Sequence, residues 1–355
     1  MKSIKIFLFL LFFSIIVLSG TKVFANSNFS VEMKTTPTAQ SIGPDLDFVH
    51  TTLTVKDNNG SIVNDAYVRL HIHSPKGNKI FSTDFPWVEN THLIAYEGYV
   101  NNGSLEFDYI YPIRGKYRVD VQAGINPSTL SEKQSLSLSV HENPIEFRSL
   151  LIFIALLLGF GVIAGFIIGR GAPMKEAAFA SLILMLSIGI TPSIAFADHP
   201  AHGQDAASIG AFTENATNEG INLDFTMNPG AGKVGMLNEL TLTAKNSDGQ
   251  FIANTNFDVK LWHIEDDKPV FSTVLFGKNG QANLNFQFFD GAEHEVRIIA
   301  TNLLGSVSLA RIVEVEGIHP PISTKVKTTI YFTLIVFLGI IAGLRLQRKP
   351  QLKVS

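Results

Sequence analysis

The 355 residues include no cysteine, which excludes disulfides, zinc–cysteine sites, iron–sulfur clusters and thiol catalysis. Charge is sparse: Asp, Glu, Lys and Arg make up 17% of the chain, and four apolar blocks contain none of them. The signatures of common hydrolytic and nucleotide-binding chemistry are missing too. There is no Gly-x-Ser-x-Gly elbow, no phosphate-cradling loop, no His-Glu-x-x-His and no ordered acidic calcium loop. No catalytic residue is assigned, and the chain reads as a non-enzyme.

The apolar residues that are present define the organisation. Residues 7–19 follow Lys2 and Lys5 and lead into Val23-Phe24-Ala25, the pattern of a secretory signal peptide over residues 1–25. Ser149–Gly169 and Ala177–Ala197 are uncharged and long enough to cross a hydrocarbon core of roughly 30 Å. Thr328–Leu344 reads as a shorter span with Lys327 and Arg345 at its ends. The segments at 170–176 and 345–355 are basic and belong in the cytoplasm, which puts residues 26–146 and 198–317 outside. These outer stretches carry 14 Asp/Glu against 9 Lys/Arg and 16 against 7. Such acidic surfaces argue against nucleic acid and leave the bilayer and an envelope protein as the expected partners.

The two outer stretches resemble one another. "LTVKDNNGSIVNDAYVRLHIH" at 53–73 matches "LTAKNSDGQFIANTNFDVKLWH" at 242–263, and "KIFST" at 79–83 matches "PVFST" at 269–273. "GKYRVDVQA" at 115–123 matches "GAEHEVRIIA" at 291–300. Each segment alternates at period two between turn residues, the pattern of half-buried antiparallel strands. The Gly-x-Tyr-x-Val-x-Val run at 115–121 resembles a late strand of immunoglobulin/fibronectin-like β-sandwiches. That resemblance implies an all-β pair of tandem immunoglobulin-like sandwiches, carried on transmembrane helices. An apolar segment ending in Ala-Phe-Ala before residue 198 repeats the Val-Phe-Ala exit at residue 25. Residues 177–197 are therefore either a transmembrane helix or an internal export signal that is cut after Ala197.

Four histidines in the second stretch form a candidate metal set: His199, His202, His263 and His294. His263 ends a strand whose Phe257, Val259 and Leu261 share its face, and His294 occupies the place of Tyr117. If their strands adjoin, two imidazoles with Asp266, Asp267, Asp290 or Glu293 nearby suit Cu(II) or Zn(II), copper being favoured. The plainer reading is that His294 hydrogen-bonds locally and His263 caps a strand. His199 and His202 flank Pro200 in a linker; they gain a chelating amine only if Asp198 becomes a new N-terminus.

Candidate interaction residues lie in the first stretch. His71 and His73 are two apart on a strand and share its outer face. Trp87, Tyr96 and Tyr99, with Phe85, gather in a long loop at 85–100 that offers a contact surface or else closes the end of a sandwich. Gly161, Gly165 and Gly169 in one span, and Gly339 and Gly343 in the last, allow close helix contact within the chain or with a partner subunit. Sequons at Asn28, Asn102 and Asn215 all fall on the outer side. Three functions follow: envelope recognition or scaffolding, copper binding, or an auxiliary role in a membrane complex.

Overall fold

Alternating apolar residues produce the strands here. In β3 (Ala66–His73), Ala66, Val68, Leu70 and Ile72 are buried while the residues between them face outward. The structure is a computed structural model that describes residues 29–37, 48–77, 83, 85–142, 144–169, 210–318 and 322–347. The expected signal peptide, the 170–176 loop, the 177–197 apolar segment, His199 and His202 lie outside the described residues, as does the chain after Gln347.

The first half contains β1 (Phe29–Thr36), β2 (Phe48–Asp57), β3, β4 (His92–Val100), β5 (Ser104–Ile110), β6 (Gly115–Gly124) and β7 (Gln134–Val140), followed by helix α1 (Pro144–Gly169). The second contains β8 (Phe212–Asn218), β9 (Ile221–Asn228), β10 (Gly232–Lys233), β11 (Leu237–Asn246), β12 (Thr255–His263), β13 (Lys268–Gly277), β14 (Gln281–Gln287), β15 (Glu293–Asn302) and β16 (Gly305–Glu316), followed by helix α2 (Ile322–Gln347). Strand order is β1-β2-β5 and β4-β3-β6-β7 in the first half. The second has β9-β11-β14 and β13-β12-β15-β16, with β8 added beside β9 and β10 beside β16. Each half thus has a three-strand and a four-strand ladder, a strand order consistent with immunoglobulin/fibronectin-like β-sandwich architecture.

The likeness of the halves reaches single hydrogen bonds. Asp57 Oδ1 accepts from the amides of Asn59 and Ser61, and Asn246 Oδ1 accepts from those of Asp248 and Gln250. Gly60 and Gly249 both take φ +79°, a left-handed conformation that glycine adopts without steric cost. In this register the counterpart of β13 is β4. The 79–83 match to 269–273 is not the structural one, and residues 92–100, expected within a loop, form that strand. Residues 79–82 themselves lie outside the described residues.

The halves are joined more closely than tandem sandwiches would be. β5 pairs with β13 (Phe271 opposite Tyr109), and β4 pairs with β14 (Leu284 opposite Tyr96). Since β4 corresponds to β13 and β5 to β14, exchanging the halves maps one junction onto the other, an approximate two-fold relation. Hydrogen bonding thus runs along two strand paths, β1-β2-β5-β13-β12-β15-β16 and β7-β6-β3-β4-β14-β11-β9-β8, which the pairing of Phe276 in β13 with Tyr99 in β4 joins into one continuous 16-stranded system. Four edge strands that isolated sandwiches would expose are paired instead. One hydrophobic core spans both halves. At its centre Phe271 lies 5.3 Å from Phe286 and 6.2 Å from Tyr109 between ring centroids.

Two helices are long and apolar enough to cross a membrane, over Phe147–Gly169 and Ile322–Leu346. The second is a full-length helix, longer than the short span expected from Thr328–Leu344, because its first turns include Lys325 and Lys327. They touch along their glycines. A side chain at Gly161 would collide with the Val336 carbonyl, one at Gly165 with that of Ile340, and one at Gly343 with that of Val162. Phe153 and Phe332 meet one turn or more before, at 5.3 Å. Contacts advance in the same direction along both helices, so α1 and α2 run parallel. The glycine seams are used within the chain.

Candidate metal centre

His263 is the last residue of β12 and His294 the second of β15, and the two stand directly opposite one another in the sheet. Both point inward. Phe257, Val259 and Leu261 are buried on the same face as His263, as Val296 and Ile298 are on that of His294. The imidazole rings are 5.0 Å apart and nearly perpendicular, and Phe288 packs 4.9 Å from His294. Asp290, in the turn between β14 and β15, completes the group. Its Oδ2 is 3.1 Å from His263 Nε2 and its Oδ1 is 3.6 Å from His294 Nε2.

Hydrogen bonds set the tautomers. The Ala292 carbonyl is 3.1 Å from His294 Nδ1, which donates to it and leaves the Nε2 lone pair free. His263 Nδ1 accepts from the Asp266 amide at 3.1 Å, so its proton sits on Nε2 and is donated to Asp290. Asp290 Oδ1 is buried and takes no hydrogen bond among the described residues. A carboxylate oxygen in that state is costly unless a cation faces it. One ligand atom from each of the three residues lies within 4.8 Å of the others.

Charge in the site follows from burial and from Asp290. Burial pushes His294 down to about 4, against the pull of the Asp290 carboxylate, so the ring is neutral at pH 7. Burial also disfavours the charged form of His263, but the hydrogen bond and charge of Asp290 outweigh it and raise its pKa. A metal would replace the Nε2 proton of His263. The ring proton would then have to sit on Nδ1, giving up the hydrogen bond from the Asp266 amide in exchange for the Asp266 carboxylate 3.7 Å away. Two imidazoles and one carboxylate form a donor set that would suit Cu(II) or Zn(II).

The first half has the same corner without the ligands. His294 corresponds to Tyr117, Asp290 to Ile113 and His263 to Ser74 in the paired registers. There Tyr117 is fully buried; its hydroxyl donates to the Ile113 carbonyl at 2.6 Å and accepts from the Ile113 amide at 3.0 Å. Ser74 donates to the Val88 carbonyl at 2.5 Å. All three positions change together, from a closed hydrogen-bonded corner to a set of metal-type donors.

The other predicted residues are dispersed. Asp267 accepts from the Trp262 indole at 3.1 Å, and Glu293 is exposed; neither joins the centre. Trp87 donates its indole N–H to the Phe289 carbonyl at 3.0 Å, beside Asp290, while Phe85 packs on Phe289. Tyr96 is buried, its hydroxyl donating to the Tyr99 carbonyl at 2.7 Å. The Tyr99 ring faces Tyr67 and the Lys278 ammonium across the junction. Trp87, Tyr96 and Tyr99 are thus turned toward the other half of the chain. His71 and His73 take the outer face of β3, joined there by His92, which the sequence reading passed over. Its place opposite His73 emerges only from the pairing of β3 with β4.

No family model and no curated protein matches the chain. Among solved structures, the Yersinia pseudotuberculosis adhesin InvE is 11% identical, covering 82% of this chain and 61% of that one, with a TM-score of 0.19. A segment of two fibronectin type-III domains from chicken tenascin is 9% identical over 81% of this chain and 99% of that one, at a TM-score of 0.18. A Salmonella alpha-2-macroglobulin is 11% identical over 84% of this chain, at a TM-score of 0.23. The match spans 15% of the macroglobulin and less than two thirds of the adhesin. The sandwich architecture of this chain rests on its own strand order.

Proposed function

We propose that this chain is a membrane-anchored protein whose paired β units lie outside the membrane and hold a copper ion at His263, Asp290 and His294. The observation that carries the reading is the half-buried Asp290 carboxylate set between two buried imidazoles, its buried oxygen Oδ1 taking no hydrogen bond among the described residues. Copper is favoured over zinc by the nitrogen-rich donor set and the affinity order of divalent metals. On this reading the centre binds and holds the ion.

The anchoring follows from the two parallel helices. Spans of the same direction must be separated by a return crossing, and residues 177–197 are the intervening stretch apolar enough to supply it. Basic residues at Arg170, Lys175, Arg345, Arg348 and Lys349 then lie inside, which agrees with both β units being outside. Recognition and scaffolding have less to rest on, because Trp87, Tyr96 and Tyr99 are spent between the halves. An auxiliary-subunit role loses its docking seam, since Gly161, Gly165, Gly339 and Gly343 face one another.

The test is a competitive Cu(II) titration of the full chain in detergent after chelator treatment. A site tighter than micromolar, lost in the His263→Ala plus His294→Ala variant, supports the proposal. An unchanged number of tight sites in that variant refutes it.

A further inference from the structure

The outer face of the first half carries a second group of imidazoles that the centre above does not use. His71 and His73 project from the same face of β3, and His92 stands opposite His73 at the start of β4. The pairing shifts register between Ile72 and His73, an irregularity that re-aims side chains. The His73 and His92 rings come within 4.1 Å, and His71 lies 6.0 Å from His92 and 6.4 Å from His73. Opposite His71 is Ala95, whose small side chain leaves room above it.

We propose that His71, His73 and His92 form a second binding site for a borderline divalent cation, Cu(II) or Zn(II), on the outer face of the first half. Two features support it. Asp120, itself 4% exposed, has Oδ2 3.3 Å from His73 Nε2. A carboxylate in that position holds the Nε2 proton and leaves the Nδ1 lone pair for a metal, the usual arrangement behind a ligating histidine. His71 Nδ1 is buried and takes no hydrogen bond among the described residues. His92 is exposed, and a rotation of its side chain is required to bring its nitrogen to the other two.

Three cations and two carboxylates surround the group. Arg118 and Lys133 share Asp120 at 3.2 and 3.4 Å, and Arg69 pairs with Glu97 at 2.6 Å, so a bound cation would compete with Arg118 and Lys133 for the Asp120 carboxylate. The second half has Lys260 and Trp262 in the places of His71 and His73. Each half therefore has one histidine group and lacks the other: an inner one in the second, an outer one in the first. Both sit at the end of the sheets from which the helices leave, since His73 pairs near Gly115 and Val140, and His294 near Glu316.

This site stands apart from the buried centre, and the experiment keeps the two separate. Full-length protein in detergent is loaded with excess Cu(II), passed through a desalting column, and its bound metal counted per chain. The wild type is expected to retain two ions, and His71→Ala plus His92→Ala one. The His263→Ala plus His294→Ala variant should also retain one, now held by the outer group. Equal counts in the wild type and the His71→Ala plus His92→Ala variant would overturn the outer site, whatever the inner variant shows. A second measurement needs no change in the outer group. In the His263→Ala plus His294→Ala background, one equivalent of Cu(II) is expected to slow diethylpyrocarbonate labelling of His92 at least about fivefold, the protection given by tight occupancy. Labelling at an unchanged rate would overturn the proposal.

Discussion

His294 stands in β15 where Tyr117 stands in β6, each buried at the same corner of its sandwich. Tyr117 closes that corner by bonding the Ile113 backbone, whereas His294 turns its free Nε2 toward Asp290. The corner is common to both halves, and the proposed copper site uses the residues by which the second half differs there.

Restoring the first-half residues separates the two roles. The triple variant His263→Ser, Asp290→Ile and His294→Tyr is expected to fold, because the same three residues close the equivalent corner of the first half. It is expected to lose the inner copper site. Far-UV circular dichroism with metal counting checks both; retention of copper at this site would contradict the assignment.

Metal-free protein should lose stability on acidification between pH 6.5 and 4. His294 and His73 titrate near 4 when folded, because burial disfavours their charged forms, and near 6.5 when unfolded. In that window the unfolded chain binds more protons, so stability is complete above pH 6.5 and falls below it. His263, whose pKa is raised, contributes in the opposite direction: its share is held below pH 6.5 and lost as pH climbs through its folded value. His294→Tyr should lower the slope by up to one proton, about 1.4 kcal/mol per pH unit. Urea midpoints measured in chelator across the window check this.

The two halves should unfold as one. Phe271 and Phe286 lie in the core shared between them, and truncating either to Ala is expected to cost about 3–5 kcal/mol. A single transition, moved as a whole by Phe271→Ala, is the predicted calorimetric result. Two transitions, only one of them moved, would show independent sandwiches.

The helix contact can be trapped because the chain has no native cysteine. Phe153→Cys with Phe332→Cys places thiols at facing positions and should cross-link on mild oxidation. Adding Gly161→Leu should abolish the cross-link, since a side chain there meets the Val336 carbonyl. Cross-linking that persists undiminished would place the helices differently.

Much of this fold was legible from local pattern. Alternation at Val68, Leu70 and Ile72, and the similar Asx-Gly turns at Asp57 and Asn246, specify strands and the turns between them. The equivalence of His294 with Tyr117 could be read in the same way. Long-range pairing could not. Tyr96 and Phe286 alternate as any half-buried strand does, and nothing local says that β4 meets β14. For the same reason the loop carrying Trp87 gave no sign that it would rest beside Asp290. Asp290 was one of four nearby acids, and only the turn after β14 selects it over Asp266, Asp267 and Glu293.

The central claim is that His263, Asp290 and His294 share one copper ion. Its most direct test is X-ray absorption at the copper edge on the full-length His71→Ala plus His92→Ala chain loaded with one equivalent of Cu(II). Two imidazole ligands at about 2.0 Å with a carboxylate oxygen completing the set are predicted, the spacing usual for such donors. Adding His294→Tyr should leave at most one imidazole on any metal retained. A spectrum unchanged by that substitution would contradict the account.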